Sequence, residues 1–488
     1  MTDDLLTKAR EYELQEEQRI KDEVRPALHF TPRVGWLNDP NGFSFYKGEY
    51  HLFYQYHPYD TNWGPMHWGH ATSKDLIHWT YLPAAMAPDK EFDNKGCFSG
   101  TALTYKDGRQ FIMYTGVYKS DPDHECQMQC IAFGDGLNYT KYTNNPVINP
   151  SMLPQGGSTS DFRDPHVTPC GDGFKAVLVN RAADGFGSAL IYKSEDGLNW
   201  AFDHELIHNK DGKYGTMWEC PCYLDLDGKK VLIVSAMEMK EKDYEFHKGG
   251  AVISLIGKED ENGSLIPENV SLVDYGVDFY APQAIKLSDG RTVMIGWMQS
   301  WDDAAYRNGL SWFGQMTVPR ELFVKGNRLY QRPLTELSQL HTDKVSYENI
   351  SVNEDNMVLS GISGRVIDLE ININSSDNAG SYTYFKTVFA GKDGKGVTLS
   401  YDPKGGLLTL DRSDVAKGDA VHSRTCALSP SKDLSLRLIL DTFSVEVFAN
   451  DGEKVMSLTY YNDPSMDEIS FSSDGAKISL TKYIFIER

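Results

Sequence analysis

Residues 36–56 read WLNDPNGFSFYKGEYHLFYQY: a polar stretch around Asn38-Asp39-Pro40, a short strand, a Lys47-Gly48 turn and an apolar strand. X-Gly between two apolar runs is a hairpin signal. The pattern returns at Asp107-Gly108, Asp172-Gly173, Asp227-Gly228 and Asp289-Gly290, each before an apolar run at 111–114, 174–179, 231–237 or 292–298. Three units share a second mark, Asp75-(x3)-Trp79, Asp135-(x3)-Tyr139 and Asp196-(x3)-Trp200. Hairpins recurring roughly every 60 residues, with periodic aromatics, predict an all-β chain with a five-bladed β-propeller. A long β-sandwich with look-alike hairpins is the competing reading.

Counting back nine residues from each turn glycine gives Asp39, Ser99, Asp164, Glu219 and Ala281. The three acids sit in tight motifs, Asn38-Asp39-Pro40, Arg163-Asp164-Pro165 and Glu219-Cys220-Pro221. Equivalent positions of a repeat lie at equivalent places around its axis, so the carboxylates are expected to share one register and to converge. Converging carboxylates repel one another, which makes a chemical use the natural reading. Taken singly each motif is an ordinary turn, since Asp-Pro is a common turn dipeptide.

Outward from the repeats, residues 1–25 read as a helical extension, with Leu5, Leu6, Tyr12 and Leu14 spaced among charges. It lacks the 7–15-residue apolar core of a signal peptide, and no later stretch has the ~20 apolar residues of a membrane span. The propeller is expected over 26–330 and a linker over 331–344. Short alternating strands with turns such as Asn450-Asp451-Gly452 predict a β-sandwich over 345–488.

A net charge of −21 argues against nucleic acid and anionic membranes as partners. Seven cysteines, an odd number, fit a reduced cytoplasmic protein. Cys126-(x3)-Cys130 and Cys220-x-Cys222 lack structural-zinc spacing, so no metal is expected. His57, His67, His70 and His78 alternate with Trp63, Trp68 and Trp79 along strands and read as packing histidines. There is no phosphate-binding glycine loop, dinucleotide fingerprint or nucleophile elbow, so no cofactor is expected. The simplest chemistry for paired acids is glycoside cleavage.

Trp36-Leu37-Asn38-Asp39-Pro40-Asn41-Gly42, Phe162-Arg163-Asp164-Pro165 and Trp218-Glu219-Cys220-Pro221 resemble the three defining motifs of glycoside hydrolase family 32, the invertases and fructan β-fructosidases. The resemblance extends to Phe98-Ser99-Gly100, Gly296-Trp297 and Val445-Glu446-Val447-Phe448. It implies a five-bladed propeller followed by a β-sandwich. It also implies retaining cleavage of terminal β-D-fructofuranosyl units, with Asp39 as nucleophile, Glu219 as acid/base and Asp164 as transition-state stabiliser. Asn38, Gln55, Ser99 and Arg163 are expected to orient the sugar and the acids. Trp63, Phe98 and Trp297 are expected to wall the ring, with Cys220, Asp278 and Tyr280 completing the binding set.

Arg163 is expected to favour ionised Asp164, and the neighbouring carboxylates to keep Glu219 protonated. Two departures from the family pattern, Cys222 and His166, bear on the leaving-group side. The expected substrates are sucrose, sucrose 6-phosphate or short fructo-oligosaccharides, attacked from the chain end. A fructosyltransferase with the same acids and a non-catalytic fructan-binding protein are the alternatives, and a homo-oligomer is compatible with either.

Overall fold

The computed structural model describes residues 4–121, 124–302, 309–374, 382–416 and 420–486. Five antiparallel sheets follow one another along the chain, each running outward from its first strand in sequence order. The first strands are Gly35–Tyr46, Gly96–Thr104, Phe162–Cys170, Met217–Leu226 and Tyr280–Lys286. They touch in a closed ring, the fifth against the first, and so line the axis of a five-bladed propeller. Closure uses a short strand, Trp312–Phe313, which leaves blade 5 to pair in parallel with Gly35 and Trp36 of blade 1. Burial falls from the axis outward: the inner strand of blade 1 is almost wholly buried, whereas the outer strand Ala201–His208 of blade 3 is largely exposed.

The recurring aspartates build the same turn three times. The Oδ1 of Asp75 accepts from the N–H groups of Ile77 and His78, that of Asp135 from Leu137 and Asn138, and that of Asp196 from Leu198 and Asn199. Each side chain thereby satisfies two backbone donors where the third strand of its blade turns into the fourth.

The hairpin count needs one correction. In blade 3 the turn is Gly171-Asp172, and Gly173 already pairs with Cys170 in the ladder. Gly171 holds the left-handed conformation, with φ of +57°. The other turns also differ in length, so a fixed count back from the glycine does not reach a fixed register.

The last strand of blade 5 is Arg328–Pro333, a 3-10 turn covers Thr335–Leu340, and the second domain begins with His341–Val352. These limits differ by a few residues from the 330 and 345 boundaries expected from the strand pattern. Two six-stranded antiparallel sheets form the sandwich. Its Leu436, Leu438 and Leu458 share one buried apolar cluster with Val234 and Ile253 of blade 4. At the seam a Cβ on Gly276 would fall 2.1 Å from the Ser457 carbonyl oxygen, so only glycine allows this approach.

That seam also holds buried charges. Arg320 pairs with Asp274 and Glu446, and His29 bridges Asp441 at 2.7 Å and Glu446 at 2.9 Å, all with fully buried side chains. Helix α1 (Leu5–Arg19) packs on the outer strand of blade 1, its first turn capped by Asp4. Among the described residues no helix is long and apolar enough to cross a membrane.

Candidate active site

Every inner strand is broken by a register shift beside its motif. In blades 3, 4 and 5 the bulged residues are Asp164, Cys220 and Ala281, with φ of 62°, 47° and 49°, each followed by proline. Left-handed backbone at a non-glycine residue stores about 1–3 kcal/mol, and bulges re-aim side chains next to active sites. Asp164 and Cys220 are therefore the structural equivalents, and Glu219 lies one position earlier, level with Arg163 and Tyr280. The expectation that the three acids share one register is thus corrected.

The offset sorts the side chains into two groups. Asp39, Ser99, Asp164 and Cys220 meet in one. Asp39 accepts from Asn38 Nδ2 at 2.9 Å, Ser99 Oγ at 2.9 Å and Cys220 Sγ at 3.4 Å. Asp164 accepts from the Cys220 N–H at 2.9 Å, and its own N–H donates to Thr115 Oγ1 at 2.9 Å. In the other group Glu219 accepts from Arg163 Nε and Nη2 at 3.2 and 3.1 Å, and from the Tyr280 hydroxyl at 2.7 Å. Arg163 is itself held by Asp161 and Gln127.

Burial sets the charge states. Desolvation raises Asp164 to about 7, winning over the Arg163 guanidinium. This corrects the expectation that Arg163 keeps Asp164 ionised: its nearest approach is 3.9 Å, and its fork is spent on Glu219. Desolvation also raises Asp39, against the donors Asn38, Ser99 and Cys220. Burial drives the Tyr280 hydroxyl and the Cys220 thiol up, so both remain protonated donors.

Asn38, Asp39, Gln55, Trp63, Phe98, Ser99, Arg163, Asp164 and Glu219 line a single cavity of about 260 Å³ with Met237 and Trp301. That volume lies just below the ~300–1,000 Å³ of drug-sized sites and suits one sugar ring. Asn38 is fixed by Trp36 Nε1 at 2.7 Å, and Gln55 by the Cys97 carbonyl at 3.0 Å. Trp63 meets Phe98 edge-on at 6.0 Å and stays 43% exposed, which places it at the mouth.

Four expected site residues sit elsewhere. Cys220 and Tyr280 act on the acids from outside the cavity lining. Trp297 is fully buried behind Trp36 and Trp301, and Trp301 takes the place at the wall. Asp278 is buried at the seam, accepting from Arg412 Nη1 at 2.8 Å and from the Thr459 N–H at 2.7 Å. The missed Trp301 had a signal, the Trp297-(x3)-Trp301 spacing. Met237 had none, because it reaches the cavity from the second strand of blade 4.

Cys222 and His166 do not face the leaving-group side either. They touch each other at 3.8 Å beneath the acids, with His166 lowered to about 4 by burial. Among the described residues no group of three His, Cys, Asp or Glu side chains is arranged to hold a metal ion.

Residues 29–333 match the family model "Glycosyl hydrolases family 32 N-terminal domain", and residues 336–485 match "Glycosyl hydrolases family 32 C terminal". A sucrose-6-phosphate hydrolase of Escherichia coli is 33% identical over 464 residues, 93% of each chain. A levanase of Bacillus subtilis is 34% identical over 98% of this chain and 72% of its own. Among solved structures, a β-fructofuranosidase of Bombyx mori superposes with a TM-score of 0.85 at 33% identity, covering 99% of this chain and 98% of that one. A sucrose-6-phosphate hydrolase of Lactobacillus gasseri superposes with a TM-score of 0.86 at 28% identity, covering 98% and 96%.

Proposed function

The chain belongs to glycoside hydrolase family 32 and is a β-fructofuranosidase, and from that premise we propose how its pocket cleaves the fructosyl bond. The observation that carries the reading is the convergence of Asp39, Asp164 and Glu219 on one ring-sized cavity with separate sets of donors.

Asp39 is the nucleophile. Its carboxylate attacks the anomeric carbon of a terminal fructosyl unit while Glu219 gives a proton to the departing glycosidic oxygen. The alcohol leaves and a fructosyl ester on Asp39 remains. Glu219, now the base, takes a proton from water, whose oxygen displaces Asp39 and releases fructose. Asn38, Ser99 and Cys220 hold the Asp39 oxygens for in-line attack. Arg163 and Tyr280 hold the Glu219 carboxyl toward the leaving group. Asp164 receives the hydroxyls of the bound sugar and favours the positive charge that develops on its ring.

The preferred substrates are unphosphorylated sucrose and short fructo-oligosaccharides, cut from the end. Among the described residues Arg163 is the one cation on the cavity wall, and Glu219 and Asp161 already occupy it. Among the described residues a phosphate on the leaving group would therefore meet no free cation there. A cytoplasmic place belongs to the same reading: all seven cysteines are free thiols, as a reducing compartment keeps them.

One panel tests this: initial rates of fructose release from sucrose, sucrose 6-phosphate, kestose and inulin. Sucrose and kestose should lead on kcat/KM, and inulin should yield fructose alone at early times. A higher kcat/KM for sucrose 6-phosphate overturns the substrate preference. Early mixed-length oligomers from inulin overturn end-wise attack.

A further inference from the structure

Helix α1 lies outside the part of the chain that matches the family models, which begins at residue 29. It is nevertheless docked by specific contacts. Glu13 accepts from the Ala84 N–H at 3.0 Å and Arg10 donates to the Ala84 carbonyl at 2.9 Å, which fixes the helix on the outer strand of blade 1.

From that anchor the helix reaches both aromatic walls of the pocket mouth. The ring of Tyr12 lies 4.9 Å from that of Tyr59. Tyr59 belongs to the connection, residues 58–66, that also carries Trp63, and it is flanked edge-on by His57 and His67. Those two histidines also bond the connection's own carbonyls, Asn62 at 2.8 Å and Pro65 at 2.9 Å. Just past the other end of the helix, Glu23 accepts from the Ser311 N–H at 2.9 Å. Ser311 precedes the strand Trp312–Phe313, whose Phe313 stacks on Trp36 at 5.1 Å, and Trp36 stacks on Trp301 at 6.1 Å.

We propose that α1 is a brace for the leaving-group side of the pocket, with Tyr12 as a positioning residue that holds Trp63 through Tyr59. The physical reason is geometric. Asp39 and Asp164 sit deep on rigid inner strands, so the fructosyl half of the substrate needs no outside support. Trp63 sits on a connection at the mouth and is 43% exposed, so its pose depends on what packs behind it. The inference rests on the preceding reading, in which Trp63 contacts the substrate.

The test is a double-mutant cycle on the full chain with sucrose, run well below the melting temperature. Aromatic pairs of this geometry support a change of about threefold to tenfold in KM for Tyr12→Ala, with kcat within about twofold. Tyr12→Phe keeps the ring and should restore the parent KM. Because Tyr12 acts through Trp63, the Tyr12→Ala/Trp63→Ala double variant should be no worse than Trp63→Ala alone. An unchanged KM in Tyr12→Ala, or KM effects that multiply in the double variant, overturns the brace. An unchanged KM in Trp63→Ala fails instead the pocket reading on which the brace stands.

Discussion

The Arg163 guanidinium gives its Nε and Nη2 protons to one oxygen of Glu219, at 3.2 and 3.1 Å, and comes no closer than 3.9 Å to its chain neighbour Asp164. Three carboxylates in one buried cavity are thereby divided into two electrostatic settings. Glu219 has a cation and a phenol for partners, whereas Asp39 and Asp164 have only neutral donors. A nucleophile and an acid/base need that difference, since identical groups in identical surroundings could not take opposite roles.

The division predicts how two isosteric substitutions diverge. Asp39→Asn should lower kcat by about 10⁴-fold or more on every fructoside, because no substitute nucleophile is present. Glu219→Gln should be comparably severe on sucrose but clearly milder on fructosides with an acidic leaving group, which departs without a proton. Both should keep the parent circular-dichroism spectrum. Equal losses on activated and natural substrates would remove Glu219 from the acid role.

Asp164 carries a stability cost that pH reveals. Its carboxyl is raised from 3.8 to about 7, chiefly by burial. A raised value means that the folded state binds the proton more tightly. The associated stability is complete below pH 3.8 and is lost as pH rises through about 7. Asp164→Asn cannot ionise and should melt at higher temperature than the parent at pH 8, with the gap closing toward pH 4. Melting curves across that range check it, and a gap that grows toward acid refutes it.

At the domain seam His29 behaves in the same sense for a different reason. Burial opposes its charge, but the hydrogen bonds to Asp441 and Glu446 overcome this and raise it from 6.5 to about 9. Its stabilisation is full below pH 6.5 and lost as pH rises through about 9. His29→Gln leaves buried Asp441 without its cation and Glu446 with Arg320 alone, and should cost about 3–5 kcal/mol at pH 7. Parent and variant should converge above pH 9 in denaturant titrations. A constant difference between pH 6 and 10 would mean that His29 is neutral in the folded protein.

Glu13 offers a test of how α1 is docked. It is 2% exposed and raised from 4.5 to about 7, with desolvation the largest cause. Its protonated form is favoured in the folded state, so its contribution is lost as pH rises from 4.5 through about 7. Glu13→Gln keeps an oxygen for the Ala84 N–H and should raise the melting temperature at pH 8 while changing little at pH 4.5. A lower melting temperature at pH 8 would show that ionised Glu13 is matched by Arg10 and Arg33.

Some of the architecture was legible because its cause is local. Glycine hairpins depend on the φ freedom of a few neighbouring residues, so five of them could be counted, the blade 3 turn misplaced by one residue, and the propeller inferred. The recurrence of Asp75, Asp135 and Asp196 was visible as a spacing, and the structure shows its local cause, side chain to backbone bonds within three residues. The motifs around Asp39, Asp164 and Glu219 carried their own signal for the same reason.

What chain distance could not supply was position across blades. Glu219 sits one register before Asp164 because Gly173 lies one residue past the blade 3 turn whereas Gly228 lies within the blade 4 turn, so a count from the glycine slips by one, a matter of strand pairing. Asp278 lies two residues from Tyr280, yet its carboxylate belongs to the sandwich, drawn there by Arg412 from 134 positions away. Trp301 holds the wall position expected of Trp297, which is fully buried behind it, although both rings pack on Trp36. The sequence by itself determined the repeat, the two domains and the acids. The tertiary structure alone decided which donor each acid receives and where α1 docks, because those depend on desolvation and contact between strands that only folding brings together.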